Sequence, residues 1–357
     1  MIRVFEAFAG YGSQSIALRN LGIEHEVVAI SEIDKYAIQA YEAIHGPTLN
    51  LGDISKIDPK DIPQHDLFTY SFPCQDLSVA GKQAGLGKGT RSGLLYECEK
   101  IIEYCRPKYL LLENVKNLVG KKFKADFDKW LEYLEGLGYT NYWKVLNAKH
   151  YGVPQNRERV FVVSILGEHE PFEWPTPIPP EKCIADILED EVDEKYYLSD
   201  ELADRFKQSI KKDKYPFGKE YKVIGTTVEN EEEKGTNSRG WVYDINDCIS
   251  TLTATDYKQP KQICEQRSDE GLRFFKDNIC GTIRTINSGG DKRVIEEGFK
   301  IRKLTPRECF RLMGMRDDDI DKIQAIGISN AQQYKMAGNS IVVDVLEAIF
   351  KNLFKGE

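Results

Sequence analysis

The first 165 residues switch repeatedly between short apolar runs and longer stretches whose apolar positions recur every three or four residues. Strands alternating with amphipathic helices produce this rhythm, and they build a mostly parallel sheet covered by helices. Strands are predicted over residues 3–8, 27–31, 67–70 and 108–115, and helices over 13–21, 34–45, 93–104 and 123–136. Residues 143–147 and 160–166 read as two late strands, an antiparallel pair. The fold class is therefore α/β.

The rhythm breaks at residues 170–180, EPFEWPTPIPP, where five prolines in eleven residues can continue neither a helix nor a central strand. This stretch is the best candidate for a linker. Residues 200–302 are irregular, rich in Thr, Asn, Gly and Lys, and read as short strands and loops. Helical spacing returns at 305–313, 331–336 and 340–354, and there is no internal repeat.

Composition narrows the classes. With 357 residues, 41% hydrophobic and 30% charged, the chain has material for a real core and is neither disordered nor collagen-like. No run approaches the ~18 apolar residues of a membrane span. The opening residues lack a basic leader before an apolar run, so secretion is not expected and the cytoplasm is. Eight cysteines at 74, 98, 105, 183, 248, 264, 280 and 309 form no CxxC pair, and there are five histidines, so no metal site is expected.

A net charge of -8 argues against nucleic acid as a partner until it is resolved by segment. Residues 71–165 carry 15 basic and 10 acidic groups, whereas 166–199 carry 2 and 10. The acidity sits in the first 70 residues and the linker, while the middle of the first domain is basic. The average misleads.

After the first strand, Phe8-Ala-Gly-Tyr-Gly-Ser-Gln-Ser15 opens a helix, and Glu32 stands about 20 residues past Gly12 at the end of the second strand. Glycines there allow a sharp turn and close approach of a nucleotide, and a carboxylate at that position accepts from ribose hydroxyls. The dinucleotide fingerprint needs Gly at 15, where Ser15 stands. A cofactor with a ribose but no phosphate fits better, and S-adenosylmethionine is the common one. A glycine turn that merely joins strand to helix is the bland alternative.

Ser71-Phe-Pro-Cys-Gln-Asp-Leu-Ser78 follows a strand end, which puts Cys74 on a loop at the carboxyl edge of the sheet, where open α/β folds bind their ligands. A loop thiol near basic groups can ionise and act as a nucleophile. A lone cysteine is more often an inert packing residue.

The neighbourhood is more informative. The 8–14 turn FAGYGSQ, Pro73-Cys74-Gln75, Glu113-Asn114-Val115, Gln155-Asn156-Arg157-Glu158-Arg159, residues 302–314 (RKLTPRECFRLMG) and Gly338-Asn339-Ser340 resemble, in order and spacing, the bacterial and phage cytosine-5 DNA methyltransferases. The motifs cover residues 4–161 and 302–349 and leave the middle as the family's variable target-recognition region.

The resemblance implies a Rossmann-like S-adenosylmethionine-dependent methyltransferase domain with a smaller, mostly β or irregular recognition domain. It places the catalytic and cofactor domain at 1–175, recognition at 176–303, and a return of 304–357 to the catalytic domain. It implies Cys74 as the nucleophile that adds to C6 of cytosine, Glu113 holding or protonating N3, and Arg159, with Arg157 nearby, fixing the base carbonyl. Phe8, Gly10, Gly12, Glu32, Ile33, Asp53, Ile54 and Asn339 would line the cofactor pocket, with S-adenosylhomocysteine as product. Phe8 and Ile33 would pack on adenine, Glu32 would bind ribose, and Asp53 would take the adenine amine. The competing readings are ordinary core for Phe8 and Ile33, and plain ion pairs for Glu113, Arg157 and Arg159.

A base inside a duplex is out of reach, so this chemistry requires its extrusion. Ser78, Lys82 and Arg91 in the Gly- and Lys-rich loop over residues 75–93, and Thr251, Lys258 and Arg284 beyond it, are the candidate DNA contacts. Residues 251–258, TLTATDYK, resemble the threonine-leucine element of the family's recognition region. The implied partner is duplex DNA, read by a monomer in a bacterial or phage modification system, which can include a cognate restriction endonuclease. Rival readings are a tRNA cytosine methyltransferase, a nicotinamide oxidoreductase on a similar sheet, and a DNA-binding module with a decayed site.

Overall fold

The computed structural model describes residues 1–72, 94–199, 201, 223–226, 241–245, 247–258, 260–268, 271–272 and 299–355. Its core is a six-stranded sheet built from β1 (Ile2–Ala7), β2 (His25–Ser31), β3 (Leu67–Tyr70), β4 (Tyr109–Val115), β5 (Tyr139–Asn147) and, after the short β6 (Gln155–Asn156), β7 (Glu158–Leu166). The spatial order is β2-β1-β3-β4-β7-β5, with β7 antiparallel to both its neighbours and the other pairs parallel. Helices α1 (Ser13–Asn20), α2 (Lys35–His45), α3 (Leu95–Cys105) and α4 (Lys124–Gly136) connect the parallel strands or lead to β5. The two late strands begin earlier than their apolar runs, because the polar residues 139–142 of β5 pair with 163–166 of β7 through the backbone.

The chain reverses its direction of travel across the sheet between β1 and β3, and the loops at their carboxyl ends splay apart there, leaving a cleft. The first strand stops at Ala7, one residue short of the span its apolar run suggests, because Phe8 adopts φ +57°. A bulky non-glycine residue in the left-handed region costs ~1–3 kcal/mol and persists only where its surroundings enforce it. Here the Phe8 amide donates to the Ser31 carbonyl at 2.8 Å, tying the ends of β1 and β2 together.

A second sheet holds β8 (Val223–Thr226), β9 (Trp241–Tyr243), β11 (Gln262–Ser268), β12 (Gly271–Leu272) and β13 (Phe299–Lys303), while β10 (Ile249–Ser250) pairs in parallel with β6. Strand β13 runs into α5 (Pro306–Arg311), which opens on a Thr305–Glu308 capping box. Beneath that cap Arg302 and Glu308 form a fully buried pair with two contacts of 2.7 Å.

Three further helices follow: α6 (Asp317–Ala325), α7 (Asn330–Asn339) and α8 (Val343–Leu353). Helix α6 has no counterpart in the sequence reading; its acidic first turn, Asp317-Asp318-Asp319, favours a helix start electrostatically, and its apolar stripe is short, the buried Ile320 and Ile323. Helix α7 runs on through Gly338 and Asn339, past the 331–336 that helical spacing marks, and the last helix begins at Val343 and not at 340. Helix α8 packs along α1, with Asn20 donating to Glu347 at 2.7 Å and Phe354 edge-on to Tyr109. The proline-rich stretch is pinned to the first sheet's flank: Phe172 is buried, and Tyr151 donates to the Pro175 carbonyl.

Candidate active site

The strand ends surround a cavity of about 340 Å³. Phe8, Gly10, Glu32, Ile33, Asp53, Ile54, Asn339, Glu113, Arg157 and Arg159 all line it. Residues far apart in sequence therefore converge on one cleft. Cys74, Ser78, Lys82, Arg91 and Arg284 lie outside the described residues.

At the β2 side, Glu32 accepts amide hydrogens from Gly10, Ile33 and Asp34 at 2.8–2.9 Å, which fixes both carboxylate oxygens at the rim. Oε1 takes two of these bonds and Oε2 one, so Oε2 retains lone-pair capacity for a hydroxyl donor. Asp53 caps a short turn, and bonds from the Ser55 hydroxyl and amide hold its carboxyl below the usual carboxylate range.

Between these acids stands Asn50, which the sequence reading missed. Its side chain accepts from the Glu32 and Gly52 amides (3.2 and 2.9 Å) and donates to the Glu32 carbonyl (3.0 Å). An Asn two before a Gly is a generic turn signal, and nothing in its spacing points to the cleft.

Ile33 is 73% exposed at the rim, which settles its reading against ordinary core. Gly10 has φ +59° and open space where a side chain would stand. The charged side chains lining this side are Glu32, Asp34, Asp53 and Lys335, and Lys335 is paired with Asp34 at 2.6 Å. Carboxylates, apolar edges and a neutralised lysine suit an adenosine-bearing group without a phosphate.

Gly12, also expected in the pocket lining, sits behind it. With φ +83°, it allows Tyr41 and His45 to press on the turn where any side chain would collide with them. Ser15, the departure from the dinucleotide fingerprint, likewise has a structural partner: its hydroxyl donates at 2.8 Å to Glu6, which is fully buried and also accepts from Tyr41 at 3.0 Å. Burial pushes the Glu6 carboxyl up to about 7.

Across three strand spacings, ~14 Å from β2, lies the second half of the cleft. Glu113 on β4 is nearly buried and faces Arg159 on β7, with Oε1 3.1 Å from Nε. Burial raises the Glu113 carboxyl above its ordinary value, and Arg159, then Arg157, oppose the rise. Arg159 also donates to the Glu158 carbonyl at 2.8 Å.

Beside Glu113, Asn114 donates to the Phe72 carbonyl at 3.1 Å, anchoring the chain two residues before Cys74. Arg157 is placed differently from Arg159. Its guanidinium donates to the carbonyls of Leu252, Gly338 and Ser340 at 2.8–3.2 Å. Thr251 donates its hydroxyl to the Asn156 carbonyl, and Lys258 is exposed beside the Tyr257 ring; neither lines the cavity.

The family model for C-5 cytosine-specific DNA methylases matches residues 2–355. The chain belongs to that family. It is 40% identical to the type II methyltransferase M2.ScrFI of Lactococcus lactis subsp. cremoris over 413 aligned positions, covering 100% of both chains. It is 34% identical to the orphan methyltransferase M.SPBetaI of Bacillus phage SPbeta, covering 99% of this chain and 97% of that one. Among solved structures it is similar to the Dnmt2 methyltransferase of S. pombe, with a TM-score of 0.68 at 20% identity and 99% coverage of each chain. Similarity to the EhMeth methyltransferase of Entamoeba histolytica has a TM-score of 0.69 at 18% identity, covering 99% and 98%. These last two establish the fold, a Rossmann-like methyltransferase domain, and the family makes the chain a DNA cytosine-5 methyltransferase. Among the described residues no helix is long and apolar enough to cross a membrane, and no cluster of three or more His, Cys, Asp or Glu could hold a metal.

Proposed function

We propose that this methylase modifies C5 of a cytosine extruded from a specific duplex sequence, with Cys74 as nucleophile and Glu113 and Arg159 acting on the base. The observation that carries the proposal is the single cleft lined at one side by the Glu32 and Asp53 carboxylates and at the other by the Glu113–Arg159 pair. Phe8, Ile33, Glu32, Asp53 and Asn339 hold S-adenosylmethionine, which when bound supplies an electrophilic methyl group.

C5 of cytosine is a poor nucleophile in an electron-poor ring. The Cys74 thiolate forms a bond to C6 and pushes the C5–C6 π electrons toward C5, while Glu113 gives its proton to N3. A carboxyl raised by burial is suited to that donation. Arg159 holds the base carbonyl and the charge that develops on it. After transfer, a base takes the C5 proton, and the C–H pair returns to the ring as the C5–C6 double bond. The S–C6 bond breaks to release Cys74 as thiolate, and N3 gives its proton back to Glu113.

Arg157 acts as a positioning residue, since its donors are directed to three backbone carbonyls. Ser78, Lys82, Arg91, Thr251, Lys258 and Arg284 are assigned to the DNA face. Residues 1–175 with 304–357 form the catalytic lobe and 176–303 the recognition lobe. The enzyme works as a cytoplasmic monomer, and its chemistry requires no endonuclease partner. Bisulfite sequencing of a plasmid co-expressed with the chain tests the proposal. One protected sequence context is expected with the wild type and none with Cys74→Ser; a plasmid without protected cytosines contradicts it.

A further inference from the structure

Residues 249–254, inside the recognition region, are laced onto the catalytic lobe beside the cleft. Gln155, fully buried, accepts the Leu252 amide at 3.0 Å and donates to the Leu312 carbonyl at 2.9 Å. Arg157 takes the other side of the same residue, donating to the Leu252 carbonyl at 2.9 Å. Thr251 adds its hydroxyl bond to Asn156, and Ile249 and Ser250 continue the join as strand pairs with Gln155 and Asn156.

The second nitrogen of the Arg157 fork reaches Gly338 and Ser340, which flank Asn339 on the cleft wall. One buried guanidinium thus bonds the cleft wall and the 251–254 segment together. Gly338 brings the two into direct contact: a methyl group there would collide with the backbone of Thr253 and Ala254. Backbone cannot swing aside as a long side chain can, so the position excludes every residue but glycine unless the segment moves. On its outer side the segment has its own brace, with Asp256 accepting the Thr253 amide and hydroxyl at 3.0 and 2.7 Å.

We propose that Gly338 and Arg157 are positioning residues that couple the cofactor cleft to the 251–254 segment, so that an occupied cleft and correct sequence reading reinforce each other. The inference rests on the reading of that cleft and segment given above. Such coupling is reciprocal, so the correct DNA sequence must tighten cofactor binding by the same factor as cofactor tightens DNA.

The test uses the full chain and S-adenosylhomocysteine as calorimetric probe, with a duplex carrying the context found by bisulfite sequencing or a scrambled duplex. For the wild type, the affinity ratio between the two duplexes is expected to be at least about 5-fold. Gly338→Ala should bring that ratio toward one and spread plasmid methylation to contexts with one mismatch. If Gly338→Ala fails to fold, Thr251→Val loosens the same segment by removing one half-buried hydroxyl and should lower the ratio. Equal affinities in the wild type, or a ratio that the folded variants leave intact, overturn the coupling. A wild type that methylates no cytosine overturns instead the functional reading, and binding of the probe without DNA is read independently of both.

Discussion

Glu113 and Arg159 meet across neighbouring antiparallel strands, 3.1 Å apart and almost closed to solvent. The register explains the meeting: Glu113 pairs with Phe161, and Arg159 lies two residues along β7 on the same face, a diagonal partner. Burial favours the neutral acid while the guanidinium favours the anion, and burial prevails, so the carboxyl stands above its ordinary value. Glu113→Gln keeps the shape and removes the transferable proton. The expected loss in kcat is ~10²–10⁴-fold, with S-adenosylhomocysteine affinity retained. A loss confined to cofactor affinity would assign Glu113 to binding instead.

Asn50 connects Glu32 to the turn before Asp53 through three hydrogen bonds to backbone groups. Asn50→Ala leaves those groups partly unmet and lets the two carboxylates drift. A loss of ~1–3 kcal/mol follows for unsatisfied groups of this kind, read as roughly tenfold weaker binding of S-adenosylhomocysteine by calorimetry. Unchanged affinity would mean that the wall holds its shape without the Asn50 clamp.

Glu6 gives the protein a pH signature separate from its chemistry. Its carboxyl rises from 4.5 to about 7 on folding because burial disfavours the charge. The folded state then binds the proton more tightly than the unfolded state. The associated stability is complete below about 4.5 and is lost as pH rises through about 7. Glu6→Gln cannot titrate, so the wild type should lose stability relative to the variant between pH 5 and pH 8, measured by urea midpoints. A difference that stays constant over that window would contradict the assignment.

Much of this architecture is legible in the residues, for identifiable reasons. The βαβ rhythm of the first 165 residues survives because strands buried on both faces must be apolar runs, and the catalytic chemistry is local enough to leave short motifs. The positioning of those motifs is less visible. Gly12 reads as a nucleotide contact, but its left-handed backbone and the Tyr41 and His45 side chains behind it make it a packing position. Arg157 and Arg159 look equivalent two residues apart; β7 sends one to Glu113, while the other faces three carbonyls supplied by residues 95 to 183 positions away. Long-range partners of that kind leave no periodic trace. Helical spacing stops at 336 because glycine interrupts the pattern, yet α7 runs on through Gly338, which lies against the backbone of Thr253 and Ala254.

The central claim is that Cys74 carries the reaction through a covalent bond to the base. A duplex containing 5-fluorocytosine in the methylated context, incubated with S-adenosylmethionine and the wild-type chain, tests it most directly. Fluorine at C5 cannot leave as a proton does, so the bond to C6 cannot be released. The account predicts a denaturation-resistant protein–DNA adduct that peptide mass mapping locates at Cys74, and none with Cys74→Ser. Methylated product without an adduct, or an adduct on another of the eight cysteines, would contradict it.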